Sequence, residues 1–199
     1  YLWEQVQQHC GISPMPQHQT AVTSAAMLTR SDPWMNLLRT TVAAFAAGTA
    51  GANAVTSRSF DTPLGQPDEF GRRLARNSQL LLTEESGLGQ VSDPGGGSWY
   101  LENLTKRLSE ESWKRFQMIE AEGGMQNTLT SGKIHSEIET TWKARKNSLE
   151  SGETSLIGVN IYANSEEETL SRPSSLPSPD GPFKLRRWSD LFEESGKKS

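Results

Sequence analysis

Two short uncharged segments, residues 19–24 and 52–57, each contain a Val-Thr step and flank one well-marked helix. This strand–helix–strand order restricts the fold more than any other feature of the chain. Uncharged β-branched runs suit strands covered on both faces, as in parallel sheets. Parallel neighbours also need a long crossover, which the stretch between them supplies. Asp32 can cap that helix, Pro33 suits its first position and Gly48 can close it. Trp34, Leu37, Leu38, Val42, Phe45 and Ala46 fall on one stripe, expected to face a core. The first 57 residues carry only four charges, Glu4, Arg30, Asp32 and Arg39, so much of this part is expected to be buried.

The same reading extends along the chain. Leu2, Trp3 and Val6 follow Tyr1 at helical spacing, as if the sequence enters partway along a helix. A second helix is expected over 68–85, ending near Gly87, with Phe70, Leu74, Asn77 and Leu81 in line and Arg72, Arg73 and Arg76 on a solvated face. A third follows the loop 93–98, lined by Leu101, Leu104, Leu108, Ser112 and Ile119 and stopped by Gly123 and Gly124. A fourth runs from Ile134 to Gly152, and 156–162 is a strand candidate. From Asn164 onward the Glu, Ser and Pro content predicts a flexible connector, with a short docking segment over 182–192. The class is therefore α/β with a largely parallel sheet, and two or three strands cannot close a barrel of eight.

Composition narrows the function. Twenty basic residues against 24 acidic ones give a net charge of −4, which offers no reason to bind nucleic acid. One cysteine, Cys10, rules out an internal disulfide framework and fits a reducing compartment. No apolar run approaches a membrane span, and the first residues lack the pattern of a signal peptide. His9, His18 and His135 show no ligand spacing for a metal, and Cys10 beside His9 is not a nucleophile–base pair by sequence adjacency alone. The Gly95-Gly96-Gly97-Ser98 loop lacks the Lys-Ser/Thr of a P-loop and reads as a tight turn. Glu84 and Glu85, adjacent on a helix, cannot face one another as an acid–base pair. No catalytic residue and no metal ligand is assigned.

Five ordered blocks add a resemblance. They are Leu28-Thr29 with residues 32–41 (Asp-Pro-Trp-Met-Asn-Leu-Leu-Arg-Thr-Thr); 72–82 with Glu84-Glu85-Ser86; 93–102 with Leu104-Thr105; 119–125; and 157–162. Together they resemble the methylmalonyl-CoA mutase family. The resemblance implies a (β/α)8 barrel followed by a flavodoxin-like cobalamin domain. It also implies radical rearrangement of acyl-CoA thioesters with adenosylcobalamin, interconverting methylmalonyl-CoA and succinyl-CoA. Residues 1–163 would be the C-terminal part of the TIM barrel, incomplete on its own, and 164–199 the interdomain linker and the start of a following segment, without the cobalamin domain.

Departures from the catalytic members stand where their pocket signatures align. His18, Thr20 and Ala26 replace an arginine, a histidine and a tryptophan, while Gly51 and Asn53 replace a histidine and a glutamine. Losing that cation and those donors strips a pocket meant for a thioester and its carboxylate. This resembles the family's small, non-catalytic subunit, expected to stabilise a catalytic large subunit in a heterodimer, with the acyl-CoA held by that partner. Adenosylcobalamin is not expected to bind this chain alone, and the location implied is the bacterial cytosol, or the mitochondrial matrix in a eukaryote. Trp99, Trp113 and Trp142 are candidate anchors for the partner. The alternative is a divergent catalytic mutase for another acyl-CoA, with Asn53, Asn77 and Gln79 as candidate cofactor contacts.

Overall fold

The computed structural model describes residues 2–168, 170–174 and 185–193. The chain divides into two compact units, one of Tyr1–His18 with Asp93–Arg145, the other of Gln19–Ser92 with Lys146–Ser199.

In the second unit, β1 (Thr20–Val22) and β2 (Ala54–Thr56) pair in parallel, with Ala21 opposite Val55. Helix α2 (Met35–Thr49) joins them and α3 (Glu69–Leu80) follows, drawn out through a π-turn at Leu81–Glu85. The α/β class and the parallel pairing are as expected. The strands are shorter than 19–24 and 52–57, and they are not buried: only Ala21 and Val55 are even half-covered. With two strands among the described residues, neither face of the ladder gains the cover that a parallel sheet needs.

Helix α2 departs further from its reading. Asp32 takes a left-handed φ of 45° and lies outside the helix, while Trp34 at the cap position offers no side-chain bond to it. Gly48 is passed within the helix, and the chain turns at Gly51, whose φ of 80° suits glycine. The buried face is Asn36, Thr40 and Ala44, whereas the apolar stripe is open, with Leu38 60% and Val42 67% exposed. Sequence hydrophobicity misplaces the core side because Asn36 is fully satisfied where it lies. Its Oδ1 accepts from the Thr29 N–H at 3.0 Å, and its Nδ2 donates to the Thr29 and Phe60 carbonyls at 2.8 and 2.9 Å. Trp34 stacks on buried Phe60 at 4.6 Å.

The strand candidate 156–162 is a turn with a single Ile157–Ile161 bridge. Asn160 organises it, its Oδ1 accepting from the Leu156 N–H at 2.6 Å and its Nδ2 donating to the Thr154 carbonyl at 3.0 Å. Asn mimics a backbone turn in this way and outcompetes a strand. Leu149, Leu156 and Val159 form a small core, packed against Trp188, Leu191 and Phe192.

The first unit is helical: α1 (Leu2–His9), α4 (Trp99–Ala121), α5 (Gly124–Thr130) and the larger part of α6 (Lys133–Glu150). Ser98 caps α4, Gly123 ends it at a φ of 90°, and α5 is an element the sequence reading lacked. Arg115–Glu137 and Lys133–Glu122 ion pairs support the helices. Among the described residues every buried apolar side chain belongs to the second unit, and the buried residues of the first are the polar Gln7 and Thr128. A last short helix, α7 (Asp190–Glu193), belongs to the second unit. Residues 175–181 of the expected connector and 182–184 of the docking segment lie outside the described residues. Among those described, Arg172 and Trp188 are drawn into the second unit, so the connector is ordered there by polar bonds that its composition did not announce.

Candidate functional site

In parallel β/α folds chemistry gathers where the strands end, because the βα loops converge there. Here that point is built by Thr23 and Arg58. The Thr23 N–H donates to the Thr56 carbonyl at 3.0 Å, extending the ladder by one residue. Arg58 then closes on Thr23 twice, its N–H donating to Oγ1 at 2.8 Å and its Nε to the carbonyl at 3.0 Å. Thr23 is buried, while Arg58 stays exposed. The pair joins the strand ends but brings no general base or nucleophile with it.

Asn53 stands at the opposite end. Its N–H donates to the Gln19 carbonyl at 2.9 Å and its Oδ1 accepts from the Gln19 N–H at 2.8 Å. That clasp starts the strand pair, a structural duty for the amide oxygen. Asn77 and Gln79 lie half-buried on α3, two positions apart and so on different sides of the helix. No hydrogen bond joins Asn53, Asn77 and Gln79 among the described residues. Thr20 is exposed in β1, Gly51 is the left-handed turn after α2, and Ala26 uses its carbonyl to accept from the Trp188 N–H at 2.9 Å.

The remaining candidates are placed as follows. His9 is exposed, with Nδ1 2.7 Å from the Gln5 carbonyl oxygen, and its ring lies 6.3 Å from that of Trp113. Cys10 and His18 are exposed, and His135 is half-buried on α6. Among the described residues no three His, Cys, Asp or Glu side chains gather in a metal-holding group. In the glycine loop the Gly96 N–H donates to the Asp93 carbonyl at 2.9 Å and Gly97 takes a φ of 77°, as a tight turn requires. Glu84 and Glu85 are both exposed on the π-turn.

The sequence reading missed two buried polar clusters. In one, Arg39 donates to Thr29 Oγ1 at 2.9 Å, Asn36 Oδ1 at 2.8 Å and the Ile157 carbonyl at 2.6 Å. Burial pushes its guanidinium down from the usual value, and Asp32 and Glu193 oppose that shift. In the other, fully buried Asp61 accepts from Ser59 Oγ at 2.5 Å and Arg172 Nε at 2.6 Å, and Arg172 also pairs with Asp68 at 3.0 Å. Burial alone would raise the Asp61 carboxyl, but hydrogen bonds from Ser59, Arg172 and the Asp68 N–H outweigh it and hold it below the ordinary value. The only sequence signal was Gly71 inside a helix: a Cβ there would lie 2.6 Å from Asp61 Oδ1.

On the first unit, Trp99 is 84% exposed at the start of α4, on the same open side as Glu102, Asn103 and Lys106. Trp113 is half-buried and stacks on Phe116 at 5.3 Å, and Trp142 is half-buried on α6.

Fold and site together define an α/β protein with joined parallel strand ends and broad exposed apolar helix surface. The sequence model described as methylmalonyl-CoA mutase matches residues 2–179. The chain is 42% identical over 194 residues to the methylmalonyl-CoA mutase small subunit of Streptomyces virginiae, covering 97% of this chain and 32% of that protein. The probable small subunit of Mycobacterium tuberculosis is 42% identical over 87% of this chain and 28% of its own length. A methylmalonyl-CoA mutase of Cereibacter sphaeroides is 36% identical over 74% of this chain and 21% of its own. This chain belongs to the methylmalonyl-CoA mutase family. It spans about a third or less of the length of these relatives. No helix among the described residues is long and apolar enough to cross a membrane.

Proposed function

We propose that this chain is a portion of the small subunit of a methylmalonyl-CoA mutase, non-catalytic in itself, which stabilises a catalytic large subunit in the cytosol. In this reading residues 1–163 are the C-terminal part of a TIM barrel and 164–199 a linker toward a further domain. The observation that carries it is the match along 97% of the chain to a relative named as a small subunit. The donor set at the strand ends is in keeping with it. Thr23 accepts from the Arg58 N–H and Nε, and Asn53 Oδ1 accepts from the Gln19 N–H, so these atoms join the strand ends.

Adenosylcobalamin is the cofactor of the family enzyme, and the described residues do not fit a seat for it. No histidine carries the cobalt-ligand pattern, and the candidate amides Asn53, Asn77 and Gln79 do not converge on one another. In this reading, which rests on the likeness to small subunits, the acyl-CoA and the cofactor are held by the large subunit. Trp99 is the anchor we assign to that partner, since it is well exposed on α4 and tryptophan is among the residue types enriched at hot spots.

The test is the mass, by light scattering, of the full-length parent protein mixed with a catalytic large subunit. A stable one-to-one complex is expected. A parent protein that stays monomeric or homodimeric and binds adenosylcobalamin itself would move the assignment to a divergent catalytic mutase acting on another acyl-CoA.

A further inference from the structure

Between η-turn Ala25–Met27 and α2 the backbone forms an anion cradle that the sequence does not advertise. The N–H groups of Arg30 and Ser31 both donate to Glu193 Oε1, at 2.6 and 2.8 Å, and the next N–H, of Asp32, donates to Glu167 Oε1 at 2.8 Å. Three successive N–H groups ending at a left-handed residue make a nest, a concavity of partial positive charge that takes anions. Arg39 reinforces it through its electrostatic coupling to Glu193. The second Glu193 oxygen accepts from Ser189 Oγ at 3.0 Å, so the carboxylate is held on both sides. Gly158, at a φ of 79°, lets the 157–159 turn close on this loop, where a Cβ would come within 2.7 Å of Asp32 Cβ.

Arg172 makes the reciprocal contact, a cation from the C-terminal segment set between two carboxylates. Its side chain is 12% exposed, against Asp61 and Asp68. The next residue, Pro173, accepts from the Gln66 N–H at 2.8 Å and lies over Gly65, where a Cβ would meet the Pro173 carbonyl oxygen at 2.2 Å. Charges of opposite sign therefore pin two parts of the C-terminal segment.

We propose that the Arg30–Asp32 nest is a carboxylate-binding site served in cis by Glu167 and Glu193, and that with the Arg172 anchor it forms a two-point latch that docks residues 170–174 and 185–193 cooperatively. Trp188, Leu191 and Phe192 reach the Leu149–Val159 core only while the latch is closed.

The experiment is residue-resolved hydrogen exchange on the full-length protein carrying Glu193→Gln, Glu193→Ala or Arg172→Met. Removing Glu193 charge is expected to speed exchange at Arg30 and Ser31 roughly tenfold or more, as for bonds to a charged acceptor. A cooperative latch also speeds Trp188, bonded to Ala26, and Gln66, bonded to Pro173. In Glu193→Ala, added acetate should restore protection at Arg30 and Ser31. Acceleration confined to Arg30 and Ser31 would overturn the two-point latch, and failure of acetate to restore protection would overturn the carboxylate site. Arg172→Met approaches from the other end and should speed Trp188 as well as Gln66; if it does not fold, the Glu193 pair decides alone.

Discussion

At the residue scale the molecule is organised by polar side chains placed where apolar ones are expected. Asp61 is the sharpest case, a fully buried carboxylate whose partners Ser59, Arg172 and the Asp68 N–H hold its ionised form. Its folded pKa lies below its unfolded one, so it contributes stability above the unfolded value of about 3.9. That contribution is lost as pH falls through the folded value. The expected outcome is that Asp61→Asn lowers the urea midpoint of the full-length protein most at neutral pH. The gap to the natural protein should narrow as the buffer is taken from pH 7 to pH 3. A gap that stays constant across that range would remove Asp61 ionisation from the account. Arg172→Met leaves the same charge buried and unpaired, and should cost about 3 kcal/mol at neutral pH by denaturant unfolding.

At the element scale glycine substitutions separate packing from propensity. Alanine is favoured over glycine within a helix by about 1 kcal/mol. At Gly71 a Cβ would sit 2.5 Å from Ser59 Oγ inside the Asp61 cluster, and overpacking there costs about 1–3 kcal/mol. Gly71→Ala should therefore lower the melting temperature of the full-length protein. At Gly48 the nearest atom is Leu88 Cδ2, the end of a flexible side chain, and Gly48→Ala should be neutral or stabilising. If both changes destabilise alike, the Asp61 cluster is not the rigid element described. The same contrast explains what the sequence made legible. Parallel β1 and β2, the helix starting near Asp68, the helix following the 93–98 loop and the Gly123 stop follow from local rules and are legible in the sequence. The buried side of α2 was not legible, because Asn36 is accommodated there only through partners at Thr29 and Phe60 that local patterning cannot supply. Nor was the 156–162 turn, which depends on the Asn160 side chain, or the Arg172–Asp61 pair, whose members lie 111 residues apart.

At the scale of the whole molecule, the apolar surface of the α-helices dominates. Leu38 and Val42 on α2, and Trp99, Leu104 and Leu108 on α4, are all exposed, and the described part of the first unit has no buried apolar side chain. In the reading of this chain as a portion of a larger subunit, such surface is what the rest of that subunit and the partner would cover. In the proposed heterodimer, Trp99→Ala in the full-length parent should weaken association by about 2 kcal/mol, roughly 30-fold in Kd by titration calorimetry. An unchanged Kd would move the anchor away from α4. At the candidate site the Thr23–Arg58 closure was not legible, because it requires the two strands to be paired. The central claim is that this chain serves a mutase without performing its chemistry. It is tested most directly by methylmalonyl-CoA to succinyl-CoA conversion with added adenosylcobalamin, using the full-length parent alone and then with the large subunit. The account predicts no turnover by the parent alone and turnover with the partner present; turnover by the parent alone would contradict it.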